Sequence, residues 1–383
     1  MQDFDFNLRT RMVCGAGSIA RLGELAAELG MRRALVVTDP GIVAAGHVDR
    51  GLAALAKANI ETHLFDGAHE NPTTDNIEVG LEIARRCQPD LLVGLGGGSS
   101  MDCAKGINFL YSNGGTMHDY HGVGKATKPM LPMIAVPTTA GTGSEMQSFA
   151  LISDAKTKVK MACGDKKASC RIAVLDPELT LTQPEMVTAL TGIDAISHAV
   201  ETYVTKRRNS ISMLYSREAW RLLAGNFKRV LSDPSDLESR AAMQLGAAYA
   251  GVAIENSMLG ASHALANPLT ATYGTAHGQA VGLMLPHVVR YNGEEFNSWY
   301  HELLSFSEDL PGLPKATAGA EGLADFLTEL IDAAGLQVKL DQCGVPQDKM
   351  PELAAAAAQQ WTGTFNPRVV TQDSLLGIYQ DAF

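Results

Sequence analysis

Several features that mark protein classes are scarce or missing in this chain of 383 residues. Its six cysteines (Cys14, Cys87, Cys103, Cys163, Cys170, Cys343) are scattered, and no Cys-x-x-Cys pair occurs. Spacing therefore gives no disulfide framework and no zinc-thiolate site, and a reducing, cytoplasmic setting is expected. Basic residues are in deficit: 31 Lys and Arg against 42 Asp and Glu leave a net charge of −11. That argues against nucleic acid or an anionic membrane as the main partner, since both select for basic patches. No apolar run approaches the ~20 residues needed to cross a bilayer. The opening Met-Gln-Asp-Phe-Asp lacks the basic segment and apolar run of a signal peptide. Internal repeats are absent as well.

What remains is an ordinary globular composition, 46% hydrophobic and 19% charged, at a length that fits two or three domains. The first half alternates two kinds of segment. Short apolar runs read as buried strands: an entry strand within 6–14, Ala34 to Asp39, 61–66, Leu91 to Leu95 and Met133 to Pro137. Helix-length stretches lie between them, from Ser18 to near Gly30, over 42–58, and from Thr73 or Thr74 to Cys87. This order predicts an open, mainly parallel sheet covered on both faces. Two Gly-rich turns follow strands, Gly96-Gly97-Gly98-Ser99-Ser100 and Thr138 to Glu145. Ligands bind such sheets at the carboxyl ends of the strands, and glycine lets backbone N–H groups approach a pyrophosphate. Asp39 could accept a bond from an adenosine ribose, which favours NAD over NADP. It precedes the glycine turn, however, and reads equally as a turn residue before Pro40-Gly41.

From Pro184 the strand-like runs stop and apolar residues recur at helical spacing. Helices are predicted from Pro184 to Tyr203 and over 210–231, 236–258, 279–291, 319–335, 349–360 and 372–381. The division expected is 1–183, an α/β NAD-binding domain, and 184–383, an all-helical metal-binding domain. Within the helical half, Asp194 and His198 are four residues apart and share a helix face. His263 and His277 come from a Gly- and Pro-punctuated segment, 260–278, from which ligands can be aimed by a loop. A lone histidine on an apolar helix is usually a satisfied core residue. Two polar groups together in an apolar stretch need partners. Three imidazoles and one carboxylate suit a divalent ion such as Fe2+, Zn2+, Ni2+ or Co2+.

In combination, these segments resemble the iron-containing, or type III, alcohol dehydrogenases over nearly the full length. That family includes lactaldehyde reductases and 1,3-propanediol dehydrogenases. The resemblance rests on the runs from Gly96 to Lys105, Pro137 to Glu145, Thr191 to His198, Gly260 to Ala266 and Leu285 to Asn292. It implies a dehydroquinate synthase-like two-domain architecture with an active-site cleft between the halves, and a homodimer or larger homo-oligomer. It also implies NAD(H) and one divalent metal, Fe2+ first, acting on a small-molecule alcohol or aldehyde. The implied metal ligands are Asp194, His198, His263 and His277. The implied cofactor contacts are Asp39, Asn71, Gly97, Gly98, Ser99, Thr138, Thr139, Thr142 and Lys160.

The implied catalytic positions are His277 and position 267, and here the chain departs from the family pattern. Asn267 replaces a histidine often thought to relay a proton, Thr270 replaces a glycine and Ala276 a proline. Asparagine cannot titrate. Trp361 falls where many relatives carry a smaller residue. The rival reading is a metal- and NAD-using lyase of the dehydroquinate synthase type. Its phosphorylated substrate would need the basic cluster of Lys156, Lys158, Lys160, Lys166 and Lys167. A binding protein without catalysis is a third reading, motivated by Asn267.

Overall fold

β-branched and leucine-rich runs, each halted by Gly, Pro or Asp, dictate the architecture of the first half. The computed structural model describes residues 4–157 and 159–383. The chain divides into two compact units, one built from Asn7–Thr139 and Gly143–Gln183. The other is Pro184–Phe383, together with the segment ending at Phe6 and the tripeptide Ala140–Thr142.

In chain order the first unit contains β1 (Arg11–Cys14), α1 (Leu22–Glu28), β2 (Arg33–Val37), α2 (Pro40–Ala44), α3 (His47–Lys57), β3 (Glu61–Phe65) and α4 (Thr74–Cys87). It continues with β4 (Leu91–Gly96), α5 (Gly98–Asn113), β5 (Gly122–Val123), β6 (Met133–Pro137), β7 (Phe149–Ser153), β8 (Lys160–Gly164) and β9 (Ile172–Leu175). Six strands form a parallel sheet in the order β1-β9-β6-β4-β2-β3. Alternate residues of one strand enter different cores, because successive side chains point to opposite faces. Leu35, Val37 and Leu92 join Ile77, Ile107 and Phe109 on one side. Ala34, Val36, Leu91 and Val93 join Leu22, Leu25 and Leu55 on the other. Each such aliphatic side chain contributes about 1.5–3 kcal/mol of burial free energy. A two-sided sheet is why β4 and β6 read as continuous apolar runs.

The structure differs from the sequence reading in detail. The helix expected over 42–58 is two, α2 and α3, separated at Gly46, whose φ of 78° suits glycine. Thr73, not Thr74, caps α4, in a reciprocal bond with Asn76. β7 and β8 form an antiparallel hairpin that pairs with β5 in a second, three-stranded sheet. Lys160 lies on this hairpin and Lys166 and Lys167 just after it; Lys158 lies outside the described residues.

A buried cation organises the second Gly-rich turn. Lys105 on α5 is fully buried, and its Nζ donates to the carbonyl oxygens of Ser144 (2.7 Å), Gln147 (2.9 Å) and Phe149 (2.9 Å) and to Ser144 Oγ (2.8 Å). Asp102, also on α5, accepts from Ser144 Oγ at 2.7 Å and from the Leu151 amide at 3.1 Å. A buried ammonium is tolerable only when its protons are satisfied, so Lys105 and the segment 144–149 fix each other.

The second unit contains α6 (Glu185–Val204), α7 (Ser210–Ser232), α8 (Leu237–Asn256), α9 (Ala261–Tyr273), α10 (His277–Ser305), α11 (Gly319–Ala333), α12 (Met350–Ala358) and α13 (Gln372–Asp381). α6 is buried almost all round from Gly192 to Val204 and packs against α7, α8 and α10. Ile193, Ile196, Val200 and Tyr203 meet Trp220, Leu223, Phe227, Leu285 and Val289 there. One expectation is corrected. The segment around His263 is not a loop but α9, with Pro268 inside it. Burial of Ala261, Leu265, Ala266 and Leu269 outweighs the backbone bond that proline forfeits. α10 likewise starts at His277 and runs to Ser305, with a kink at Phe296, well beyond the 279–291 expected.

Glu145, in the turn that Lys105 holds, is 3% exposed, and burial pushes its carboxyl up to about 7 despite the Lys105 charge. Between the ordinary value of 4.5 and about 7, the folded chain keeps a proton that the unfolded chain releases. Stability therefore falls as pH rises through that window. Glu145→Gln is expected to raise the thermal midpoint above pH 7, with the gain shrinking toward pH 4.5. A difference that does not vary with pH in a melting series would refute this account.

Candidate active site

The helical unit builds its polar centre from three helices. Asp194, His198 and Glu201 stand at i, i+4 and i+7 on α6, so all three project from one face. His263 enters from the first turn of α9, and His277 is the first residue of α10. Close backbone approach brings α10 in. A Cβ added to Gly278 would lie 2.1 Å from the Leu190 carbonyl oxygen, and one added to Gly282 would lie 2.4 Å from Ile193. No side chain fits between α6 and the start of α10. The residue before Gly278 is thereby pressed toward Asp194.

One carboxylate oxygen is the meeting point. Asp194 Oδ1 lies 3.3 Å from His198 Nε2, 3.5 Å from His263 Nε2 and 3.8 Å from His277 Nε2. The ligand atoms offered by Asp194, His263 and His277 all lie within 4.8 Å of one another. Ligands bound at ~2.1 Å in a tetrahedral site sit about 3.4 Å apart, so these separations are those of a ligand shell. Asp194 Oδ1 and His263 Nε2 are buried without a hydrogen-bond partner. Such an omission costs about 1–3 kcal/mol per group unless something else satisfies it. The residues present therefore fit a divalent metal.

The electrostatics agree. Burial alone would raise the Asp194 carboxyl, but His198 and the two other imidazoles hold it well below the usual range. Burial lowers His198, and Asp194 only partly offsets this. Burial also lowers His263, but the Glu201 and Asp194 carboxylates outweigh it and raise the ring to about 9. A divalent ion in this place supplies the positive charge that the His263 imidazolium otherwise carries, so taking it up expels a proton.

Two polar residues missed by the sequence reading complete the centre. Glu201 Oε2 accepts from His263 Nδ1 at 2.5 Å, and Glu201 Oε1 accepts from the Ser262 amide at 2.7 Å. Asn366 Oδ1 accepts from the Ala261 amide at 3.3 Å, and its amide group exchanges bonds with Asn292 at 2.7 and 3.1 Å. The signal for Glu201 was present in the spacing from Asp194 through His198. Asn366 lies 105 residues from its partner, and no local pattern reveals it.

The predicted cofactor contacts other than Thr142 fall in the first unit. Parallel neighbours β2 and β4 end at the same edge, which brings Asp39, after β2, beside Gly96–Ser100, after β4. Asp39 Oδ2 accepts from Ser100 Oγ at 3.1 Å, while Oδ1 caps α2 at the Ile42 amide, 3.2 Å away. Sheet adjacency thus removes the difficulty of chain order. Gly96 has a φ of 150°, and a Cβ there would lie 2.4 Å from Ser100 Oγ; only glycine fits. Gly97 caps α5, whose first turn holds Gly98 and Ser99, so their N–H groups lie at an open helix start, a place that favours negative charge. From β6, Thr138 donates its amide to the Gly96 carbonyl at 3.0 Å, and Thr139 lies beside Gly97. Asn71 is joined to Lys160, whose Nζ donates to Asn71 Oδ1 at 3.1 Å. Thr142 falls in the tripeptide grouped with the helical unit.

Asn267 is one turn past His263 on α9, and its Nδ2 donates to Gln360 Oε1 at 3.0 Å. The adjacent Trp361 is 42% exposed and stacks edge-on against Phe365.

Comparison with known proteins bears on both halves. The sequence model of iron-containing alcohol dehydrogenases matches residues 9–177, and that of the C-terminal domain of the Fe-containing alcohol dehydrogenase family matches residues 188–383. The chain is 35% identical over 386 aligned residues to a 1,3-propanediol dehydrogenase of Klebsiella pneumoniae, covering 99% of each. It is 32% identical to an NAD-dependent methanol dehydrogenase of Bacillus methanolicus, again covering 99% of each. A crystal structure of 1,3-propanediol oxidoreductase superposes with a TM-score of 0.95 at 34% identity, covering 100% of both chains.

Gly278→Ala tests the close approach that sets His277. A Cβ inserted against backbone is expected to cost about 3 kcal/mol or more, visible as a lower thermal midpoint. It should also displace His277 and reduce the divalent metal retained per chain after dialysis. Wild-type values for both would show that the contact does not position the ligand.

Proposed function

The chain belongs to the iron-containing alcohol dehydrogenase family, and on that premise we propose that its active centre is one divalent ion held by Asp194, His198, His263 and His277. The protein is an oxidoreductase that interconverts a small alcohol and its aldehyde or ketone, with metal and NAD(H). The observation that carries the assignment of the site is the convergence of three imidazole Nε2 atoms on one buried carboxylate oxygen. Fe2+ is the ion proposed, in keeping with the family.

When bound, the metal polarises the alcohol or carbonyl oxygen and the nicotinamide carries the hydride. The chain's residues supply the rest. Asp194 contributes the one negative charge among the four ligands, and the neutral imidazoles leave the ion strongly electrophilic. Gly97, Gly98 and Ser99 offer backbone N–H groups to the pyrophosphate at the start of α5. Asp39 accepts from the adenosine ribose and repels a 2′-phosphate. Thr138, Thr139 and Thr142 serve the nicotinamide side, and the bonded pair Asn71–Lys160 holds the cofactor farther along. Oxidation converts alcohol and NAD+ to carbonyl, NADH and one proton. Asn267 cannot take that proton, so in this reading it passes to water. A homodimer or larger homo-oligomer in the cytoplasm belongs to the same proposal.

The lyase alternative is not favoured. Both family models and the relatives above are alcohol dehydrogenases. Its basic cluster is also partly committed elsewhere: Lys167 pairs with Asp165 at 3.2 Å and Lys160 with Asn71.

A panel of alcohols and aldehydes, read at the NADH absorbance with elemental analysis of the protein, tests the reading as a whole. His263→Ala is expected to lose most activity and to weaken metal binding by more than the roughly 10–100-fold that follows loss of an outer partner. Near-normal turnover by a metal-free preparation would refute the ligand's role. Asp39→Gly should relax the preference for NAD over NADP, while the lost α2 cap costs only a few tenths of a kcal/mol. An unchanged ratio of kcat/KM for the two cofactors would sink that assignment.

A further inference from the structure

Glu201 stands out among the polar groups that the reaction itself does not use. It is 4% exposed, and among the described residues its ion-pair partner is His263, with no lysine or arginine. A buried carboxylate that no lysine or arginine neutralises is costly unless both its oxygens are bonded. Glu201 makes two bonds, one from each oxygen: Oε1 accepts from the Ser262 amide, and Oε2 accepts from His263 Nδ1.

The first bond caps a helix. α9 begins at Gly260, which has no side chain to satisfy the first N–H groups. Asn366 takes the Ala261 amide and Glu201 the Ser262 amide. Gly260 suits this arrangement, because a Cβ there would lie 3.1 Å from Glu201 Oε1 and 3.2 Å from Asn366 Oδ1, and both acceptors would have to give way by a few tenths of an ångström. Capping alone does not call for a carboxylate, however. Asn366 performs the neighbouring task with a neutral amide.

The second bond does call for one. A carboxylate only accepts, so His263 Nδ1 must be the donor, and the proton that a divalent ion expels is the one on Nε2, whose lone pair then ligates. That Nε2 faces Asp194 Oδ1 at 3.5 Å, and neither atom has a hydrogen-bond partner. With that proton displaced, the two atoms stand at ligand spacing. Since Ser262 and His263 are adjacent on the first turn of α9, the two oxygens fix both the ring's tautomer and the helix that carries it.

We propose that Glu201 is a positioning residue for the metal centre, locking His263 with Nδ1 protonated and Nε2 presented as ligand while it anchors the start of α9. This rests on the metal reading given above. Amide substitution separates the two tasks. In Glu201→Gln one oxygen becomes an NH2 donor of nearly the same shape. If the remaining oxygen stays on Ser262, the donor faces Nδ1 and forces the proton onto Nε2, which can then no longer ligate.

The test compares wild type, Glu201→Gln and Asn366→Ala, each stripped of metal and titrated with Co2+ against a competing chelator. Thermal midpoints of the stripped proteins and NAD+ affinity are measured beside it. Glu201→Gln should bind Co2+ roughly 10–100-fold more weakly, with NAD+ affinity unchanged. Asn366→Ala, which removes the Ala261 cap and the bonds to Asn292 but no bond to His263, should lower the midpoint yet keep Co2+ affinity. Equal Co2+ affinity in Glu201→Gln and wild type overturns the proposal. So does an equal loss in both variants, which would assign the effect to capping. Wild type that binds no divalent ion defeats the metal reading itself. Should Glu201→Gln not fold, 15N-histidine spectra of zinc-loaded wild type decide the matter. A proton on His263 Nδ1 is expected, and one on Nε2 overturns the proposal.

Discussion

A single carboxylate oxygen facing three imidazole nitrogens is the constraint from which the helical unit follows. Asp194 Oδ1 can be placed there only on a helix buried nearly all round, and α6 is that helix. The other two imidazoles arrive from α9 and α10. α9 and α10 therefore both begin at the centre, each opened by a glycine that lets backbone come close: Gly260 beside Glu201 and Asn366, Gly278 against Leu190. Bringing two helix N-termini to one place gathers partial positive charge there. Two buried carboxylates, Asp194 and Glu201, balance it.

The first unit gathers backbone N–H groups at one sheet edge, where we propose that the pyrophosphate is held. A parallel sheet aligns the carboxyl ends of its strands, and the order β6-β4-β2 sets Thr138, the Gly96–Ser100 turn and Asp39 side by side. Chain distance is irrelevant to this arrangement. Asp39 and Ser100 are 61 residues apart and share a hydrogen bond.

Much of this was legible in the sequence, and the reasons for success and failure are physical. The central strands announced themselves because a sheet covered on both faces has no polar side. The Asp194/His198 pair was visible because helical spacing is local. α9 was misread as a loop because Pro268 and the flanking Gly260 and Gly274 are breakers by propensity, and only tertiary burial of Leu265 and Leu269 overrides them. Glu201 sat on the readable face of α6 but was passed over, since a glutamate in a helix looks like a solvated residue until its partner arrives from α9. Asn366 and Lys105 were illegible for a stronger reason. Their value lies wholly in backbone groups far along the chain or across a turn, and backbone carries no sequence signature.

The chain thus contains two cation cages of unlike kind. The cage around Lys105 is lined by oxygens of Ser144, Gln147 and Phe149, and its cation is tethered by four methylenes to α5. A tethered charge cannot be chelated, diluted or exchanged, so the turn it shapes is insensitive to metal supply. The cluster around Asp194 has no such tether, and the ion we propose for it exchanges with solution. On the proposed reading the glycine-turn scaffold is therefore constitutive, while the state of the Asp194 cluster follows the ions its surroundings provide.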